Sequence, residues 1–260
     1  MASVKLQVQM GGLLARLTLC RPERFNAFDR ETLRELGDMA RGIAESDTVR
    51  VVTITGEGKA FSAGADLRAA VLSDSISNYL GSLVKAFHSV LETLAACPAL
   101  VVTLMNGPAA GGGFALAMAG DIRIGLPEAV MRCGYGRVGL TVDGGLSWRL
   151  PRLIGMTAAQ WMLYEDPDLT AEQALQMGLL HKVVPAADLD KTVGELVERT
   201  KLQSRNAIFR NRQLLLESAG RTLVQTFEAE ATTMKAAAGT QDGREGIQAF
   251  VQKRVPNFGK

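Results

Sequence analysis

The chain has 260 residues, of which 47% are hydrophobic and 22% charged, with a formal net charge of +2. That length suffices for one large core, or one core with a small appendage, and the composition is ordinary for a globular protein. A charge so close to balance leaves no bulk electrostatic case for a nucleic-acid partner.

In chain order, Lys5 to Met10 and Leu13 to Leu19 alternate around Gly11-Gly12, which is a hairpin signal. Asp29 is placed to cap a helix that carries Leu33, Leu36, Ala40 and Ile43 on one face. Val49 to Thr55 is a β-branched run that predicts a strand, and Gly56 to Asp66 then turns back. Ser75 to Ala96 predicts a long helix with Ile76, Leu80, Leu83, Phe87, Leu91 and Leu94 at helical spacing. After Pro98, Leu100 to Met105 reads as a buried strand, followed by Gly111, Gly112 and Gly113 and a helix-forming run from Phe114 to Ala119. Leu146 to Met156 predicts a helix broken near Pro151. From about Thr157 strand signals nearly vanish, and 157–165, 170–178, 188–202, 206–218 and 221–238 read as helices. Strands alternating with helices imply parallel βαβ turns, so the class is α/β with a helical end. Cys20, Cys97 and Cys133 form no CxxC or Cys/His cluster. No metal is therefore expected, and reduced thiols in a cytoplasmic protein are. No apolar run of about 18 residues predicts a membrane partner, and no secretory signal is expected.

Two segments carry chemistry. A strand that breaks into a helix through glycines leaves backbone N–H groups free at the helix start, where the dipole favours negative charge. The stretch Asn106-Gly-Pro-Ala-Ala-Gly-Gly-Gly-Phe-Ala-Leu-Ala-Met-Ala-Gly-Asp121 has that form, and Ala60-Phe-Ser-Ala-Gly-Ala-Asp66 is a matching turn upstream. Two such turns can place two N–H groups on one oxygen, an oxyanion hole. Gly134-Tyr-Gly-Arg-Val-Gly139 matches the dinucleotide fingerprint, but Leu140-Thr-Val-Asp-Gly-Gly145 follows it and cannot run as an amphipathic helix. Nicotinamide binding is therefore not expected.

These two segments resemble the hallmark segments of the crotonase (enoyl-CoA hydratase/isomerase) superfamily. Leu19 to Phe28, Leu169 to Pro185 and Asp242 to Arg254 are similar to three further segments of that family, in its order. The resemblance implies a crotonase fold, a spiral of ββα units with a helical C-terminal region that packs in trimerisation. Residues 1–200 would form the spiral core with the CoA and catalytic site, and 201–260 the helical region. The expected partner is an acyl-CoA thioester, with coenzyme A as part of the substrate and no separate cofactor, in a homotrimer or dimer of trimers.

Site residues follow the same resemblance. The family's hydratases use two glutamates, and the matching positions hold Ala115 and Tyr135, neither of which transfers a proton as a carboxylate does. Asp143 is available instead. In Val-Asp-Gly-Gly it is also a plausible turn or cap residue. Gly139 to Arg152 is similar to the segment carrying the catalytic aspartate of phenylacetate-type enoyl-CoA isomerases, where one carboxylate takes a proton and returns it two atoms away. The same position carries the nucleophile of 4-chlorobenzoyl-CoA dehalogenases, whose histidine matches His88; those enzymes have tryptophan where Tyr135 stands. His88 also reads as a helix-face histidine beside Val84 and Leu91, and His181 as surface or packing. Ala63 and Gly112 match the two oxyanion donors. Ala65, Asp66 and Leu67 match the border of the adenine, Arg24 the loop near the CoA phosphates, and Phe250 and Lys253 residues that reach a neighbouring subunit's CoA. Arg24 and Lys253 equally suit solvated charges, and Phe250 a helix core. The reading that results is double-bond isomerisation of an enoyl-CoA through Asp143. The alternatives are an aryl-CoA dehalogenase or hydrolase using Asp143 and His88, and a non-catalytic member that binds CoA or RNA, though no lysine-rich helix supports RNA.

Overall fold

The computed structural model describes residues 2–259. Among the described residues nine strands form two sheets: β1 (Val4–Gln9), β2 (Leu14–Leu19), β3 (Val51–Gly56), β4 (Leu100–Met105), β5 (Ala109–Ala110), β6 (Ile122–Gly125), β7 (Val130–Arg132), β8 (Leu169–Thr170) and β9 (Lys182–Val183). The larger sheet has the order β1-β2-β3-β4-β6-β9 and the smaller β5-β7-β8. The opening hairpin forms as its glycines predict, with Val4 opposite Leu19 and a 3-10 turn at Met10–Gly12. From β2 onward the larger sheet is parallel, with Leu14 beside Val51 and Val51 beside Leu100. These strands are near-continuous apolar runs because both faces are covered.

Helices α1 (Arg30–Ala44) and α3 (Ile76–Ala96) pack against each other over that sheet. Each starts where its sequence predicts: Asp29 Oδ1 accepts from Thr32 N at 2.8 Å, and Ser75 Oγ from Asn78 N at 3.3 Å. The apolar stripe of α1 is buried through Leu33, Leu36, Ala40 and Ile43, and α3 buries Leu83, Phe87, Val90, Leu91 and Leu94. Each such leucine or phenylalanine stabilises the fold by roughly 1.5–3 kcal/mol. Short helices α2 (Leu67–Val71) and α4 (Gly112–Met118) follow the turns that leave β3 and β4–β5.

Three expectations need correction. The third strand begins at Val51 rather than Val49. Helix α5 (Leu146–Tyr164) is not broken at Pro151, whose fixed φ is itself helical. The chain leaves helical geometry at Gly155 instead, with φ 77° and ψ 161°. Beyond Thr157 two strands do occur, β8 and β9, each two residues long and too short to show a period. Helices α6 (Ala171–Gln176), α7 (Leu189–Lys201), α8 (Arg205–Ser218), α9 (Leu223–Ala238) and α10 (Gln241–Val251) complete the chain. Among the described residues, no helix is long and apolar enough to cross a membrane.

Candidate active site

The site sits at the C-terminal ends of β3 and β4, where two turns interlock. Phe61 N and Ser62 N both donate to Pro108 O, and Ala110 N donates to Ser62 O at 3.0 Å. Gly64, at φ +81°, lies so close to the second turn that a Cβ there would sit 2.6 Å from Gly112 N. Only glycine fits that contact. Two asparagines hold the turns. Asn26, 1% exposed, donates to Glu57 O and Ala60 O. Asn106 accepts from Gly56 N and donates to Gly58 O and Ala60 O. Ser62 donates to Asn26 O and accepts from Gly64 N. None of these three was singled out from the sequence. Their only signal was membership of the segments Leu19–Phe28, Ala60–Asp66 and Asn106–Asp121.

Backbone accounting corrects one expected donor. The Ala63 N–H is not available to a ligand, because it donates to Phe25 O at 2.9 Å. Two residues on, Phe28 bridges Gly64 and Asp66: Phe28 N donates to Gly64 O and Asp66 N to Phe28 O. In such a bridge the intervening residue faces the other way, so Ala65 turns its N–H from Phe28. Neither Ala65 N nor Gly112 N has an acceptor within the chain among the described residues. Gly112 is buried and Ala65 half-buried, and buried N–H groups are rarely left without a partner. Both residues line a cavity of about 630 Å³.

The same cavity brings together Tyr135, Asp143 and His88. The Tyr135 hydroxyl donates to Asp143 Oδ1 at 2.5 Å, leaving Oδ2 for a ligand. Gly144 N donates to His88 Nε2 at 3.2 Å. Burial pushes the Asp143 carboxyl above the usual carboxylate range, against the opposing pull of the Tyr135 hydrogen bond and the His88 ring. Burial and the Asp143 charge push the Tyr135 phenol far up, so it stays a donor. Most of the remaining lining is apolar, including Phe28, Leu33, Leu83, Val84, Phe87 and Val142. The missing glutamate at position 115 also has a steric reason. Ala115 is fully buried, and a Cβ on Gly144 would lie 2.5 Å from the Ala115 Cβ. The loop that carries Asp143 fills the space a longer side chain at 115 would need.

The other expected residues scatter. Leu67 lines the cavity as the first residue of α2. The Asp66 carboxylate is engaged within the chain: it caps α2 at Ala69 N and pairs with Arg21 at 3.0 Å. Arg21, overlooked in the sequence, also pairs with Asp29 at 3.0 Å. Arg24 is exposed in the 3-10 turn Pro22–Arg24 and does not line the cavity. Phe250 is 86% exposed, so the alternative of a helix core residue is wrong within this chain; Lys253 is exposed beyond α10 with φ 54°. His181 lies on the surface, its Nδ1 accepting from Arg123 N at 3.1 Å. Gly134–Gly139 opens no helix, only a 3-10 turn at Gly136–Val138. Among the described residues no group of three or more His, Cys, Asp or Glu side chains converges on a metal position.

The fold and the paired turns define a crotonase-fold acyl-CoA enzyme, and comparison with known proteins agrees. The sequence profile of the enoyl-CoA hydratase/isomerase family matches residues 10–260. The chain belongs to that family. It is 33% identical to the 1,2-epoxyphenylacetyl-CoA isomerase of Escherichia coli K12 over 93% of each chain. It is 32% identical to the crotonyl-CoA hydratase of Syntrophomonas wolfei over 94% of each. The crystal structure of an enoyl-CoA hydratase from Bacillus anthracis superposes with a TM-score of 0.92 at 28% identity, covering 99% of this chain and all of that one.

Proposed function

We propose that the protein isomerises an enoyl-CoA thioester, moving its double bond by a proton transfer on one face of the acyl group. The observation that carries this is the single carboxylate: among the described residues lining the cavity, Asp143 alone bears one. Ala115 and Tyr135 stand where two-glutamate hydration needs acids. In this reading the thioester carbonyl oxygen rests between the Ala65 and Gly112 N–H groups, which stabilise the dienolate. Asp143 Oδ2 removes a proton from one carbon and returns it two atoms away. The raised carboxyl holds a proton more readily than an exposed aspartate, as a group that must be a base and then an acid requires. The adenine end would pass Ala65 and Leu67. A neighbouring subunit of a trimer would bring its exposed Phe250 and Lys253 to that end, in a cytoplasmic setting consistent with the free thiols of Cys20, Cys97 and Cys133. The hydrolytic alternative needs His88 as a free base, and its Nε2 is occupied by Gly144 N–H.

The test is Asp143→Asn, assayed on a panel of 2- and 3-enoyl-CoA thioesters. Turnover should fall by roughly 10²–10⁴-fold with the fold intact. A variant that isomerises at the wild-type rate would return Asp143 to the status of a turn residue.

A further inference from the structure

We infer that Tyr135 and His88 are positioning residues that clamp the Asp143 loop from two sides, so that Oδ2 alone carries the proton. The inference rests on the isomerase reading and assigns the neighbours of its acid/base. The loop's own tie at this point is a backbone bond, Leu146 N to Asp143 O at 3.1 Å, which does not hold the side chain. Gly144 and Gly145 both have positive φ, 57° and 78°, and Asp143 precedes the regular helix. A carboxylate on such a segment is free to rotate at χ1 and χ2. Proton transfer at carbon requires placement within about 0.5 Å.

Three contacts supply that placement, from three separate elements. Tyr135, 8% exposed in the loop after β7, grips Oδ1 at 2.5 Å. His88, on α3, accepts the N–H of the very next residue, Gly144, at 3.2 Å. Under the loop, Gly144 presses on Ala115 and Phe87, where a Cβ would lie at 2.5 and 2.7 Å. The two carboxylate oxygens thereby become inequivalent: Oδ1 is held by Tyr135, and Oδ2 is not.

The chemistry of the two posts matches their task. Tyr135 stays protonated and donates. His88 Nε2 accepts the Gly144 N–H through its ring lone pair. Lys85, one turn before His88 on α3, is the other charged side chain lining the cavity; Ala63, Ala65, Leu67, residues 110–112 and Leu33 of α1 present backbone or apolar groups, and the Asp66 carboxylate pairs with Arg21. His88 so employed holds the loop rather than activating water.

Two pairs of variants test this beside Asp143→Asn. Tyr135→Phe keeps the ring and removes only the hydroxyl. Its kcat should fall roughly tenfold, the worth of a hydrogen bond to a charged group, with KM little changed. Its acid limb in kcat/KM should move to higher pH, because the lost bond favoured the ionised carboxylate while the burial remains. His88→Leu should also fall roughly tenfold, and His88→Gln, which restores an acceptor near the Nε2 position, should recover most of that loss. A Tyr135→Phe enzyme that is less heat-stable but has unmoved kcat and pH limb would show that Tyr135 only packs. A His88→Gln enzyme as poor as His88→Leu, or one that accumulates a covalent adduct on Asp143, would make His88 a base. An unmoved Tyr135→Phe or an unrescued His88→Gln overturns the clamp while an inactive Asp143→Asn leaves the isomerase reading standing; a covalent adduct on Asp143 overturns both. An active Asp143→Asn removes both.

Discussion

Asp143 carries a conflict between function and stability. Its folded carboxyl binds a proton more tightly than the unfolded one, because burial outweighs Tyr135 and His88. Its contribution to stability is therefore fully present below the unfolded value of about 3.9 and lost as the pH rises through the raised folded pKa. At neutral pH the ionised group works against the fold. Asp143→Asn removes the charge and still accepts from Tyr135, so it should melt higher than wild type at pH 7, by ~2–4 °C for each kcal/mol recovered. The advantage should shrink as the pH falls towards about 4. Thermal melts of both proteins at several pH values check this. A lower melting temperature at pH 7 would mean the carboxylate is held by more favourable contacts than Tyr135 and His88 provide.

Among the elements, what could be read from sequence was what is local. Helices α1 and α3 were legible because a cap and a 3.6-residue apolar stripe lie within each segment: Asp29 before Leu33 and Leu36, Ser75 before Leu83 and Phe87. The two turns were legible because glycines mark where backbone must approach backbone, as Gly64 does to Gly112. Which N–H stays free was not legible. Ala63 is satisfied by the carbonyl of Phe25, and Ala65 is turned outward by its bridge to Phe28, and both facts depend on a partner far along the chain. The resemblance named Asp143, Tyr135 and His88 one at a time. Their joining, from the loop after β7, the loop before α5 and the middle of α3, is a product of packing. The same holds for Arg21, whose pairs with Asp29 and Asp66 tie the start of α1 to that of α2. Strands β8 and β9 exist only through their neighbours, Val130 opposite Thr170 and Ile124 beside Lys182.

For the whole molecule, the C-terminal helices α9 and α10 present large apolar side chains to the outside of the chain. Leu223, Val224, Phe227 and Met234 of α9 and Ile247 and Phe250 of α10 are all more than half exposed. Apolar groups gathered on neighbouring helices mark an interaction surface more often than a solvent face. Together with the family's architecture this predicts a trimer or a dimer of trimers in solution, measured by light scattering at micromolar concentration. A stable monomer would contradict it, and would leave Phe250 and Lys253 with no neighbouring subunit to serve.

The central claim is that one carboxylate and two backbone donors move a double bond without adding water. It is tested most directly by isotope uptake. Candidate enoyl-CoA thioesters are incubated with the enzyme in deuterium oxide and, separately, in heavy-oxygen water, and the products are weighed by mass spectrometry. The account predicts a regioisomer of unchanged formula that exchanges deuterium at the migrating position and gains no heavy oxygen. A product that gains heavy oxygen, whether a hydroxyacyl-CoA or a free acid, would contradict it.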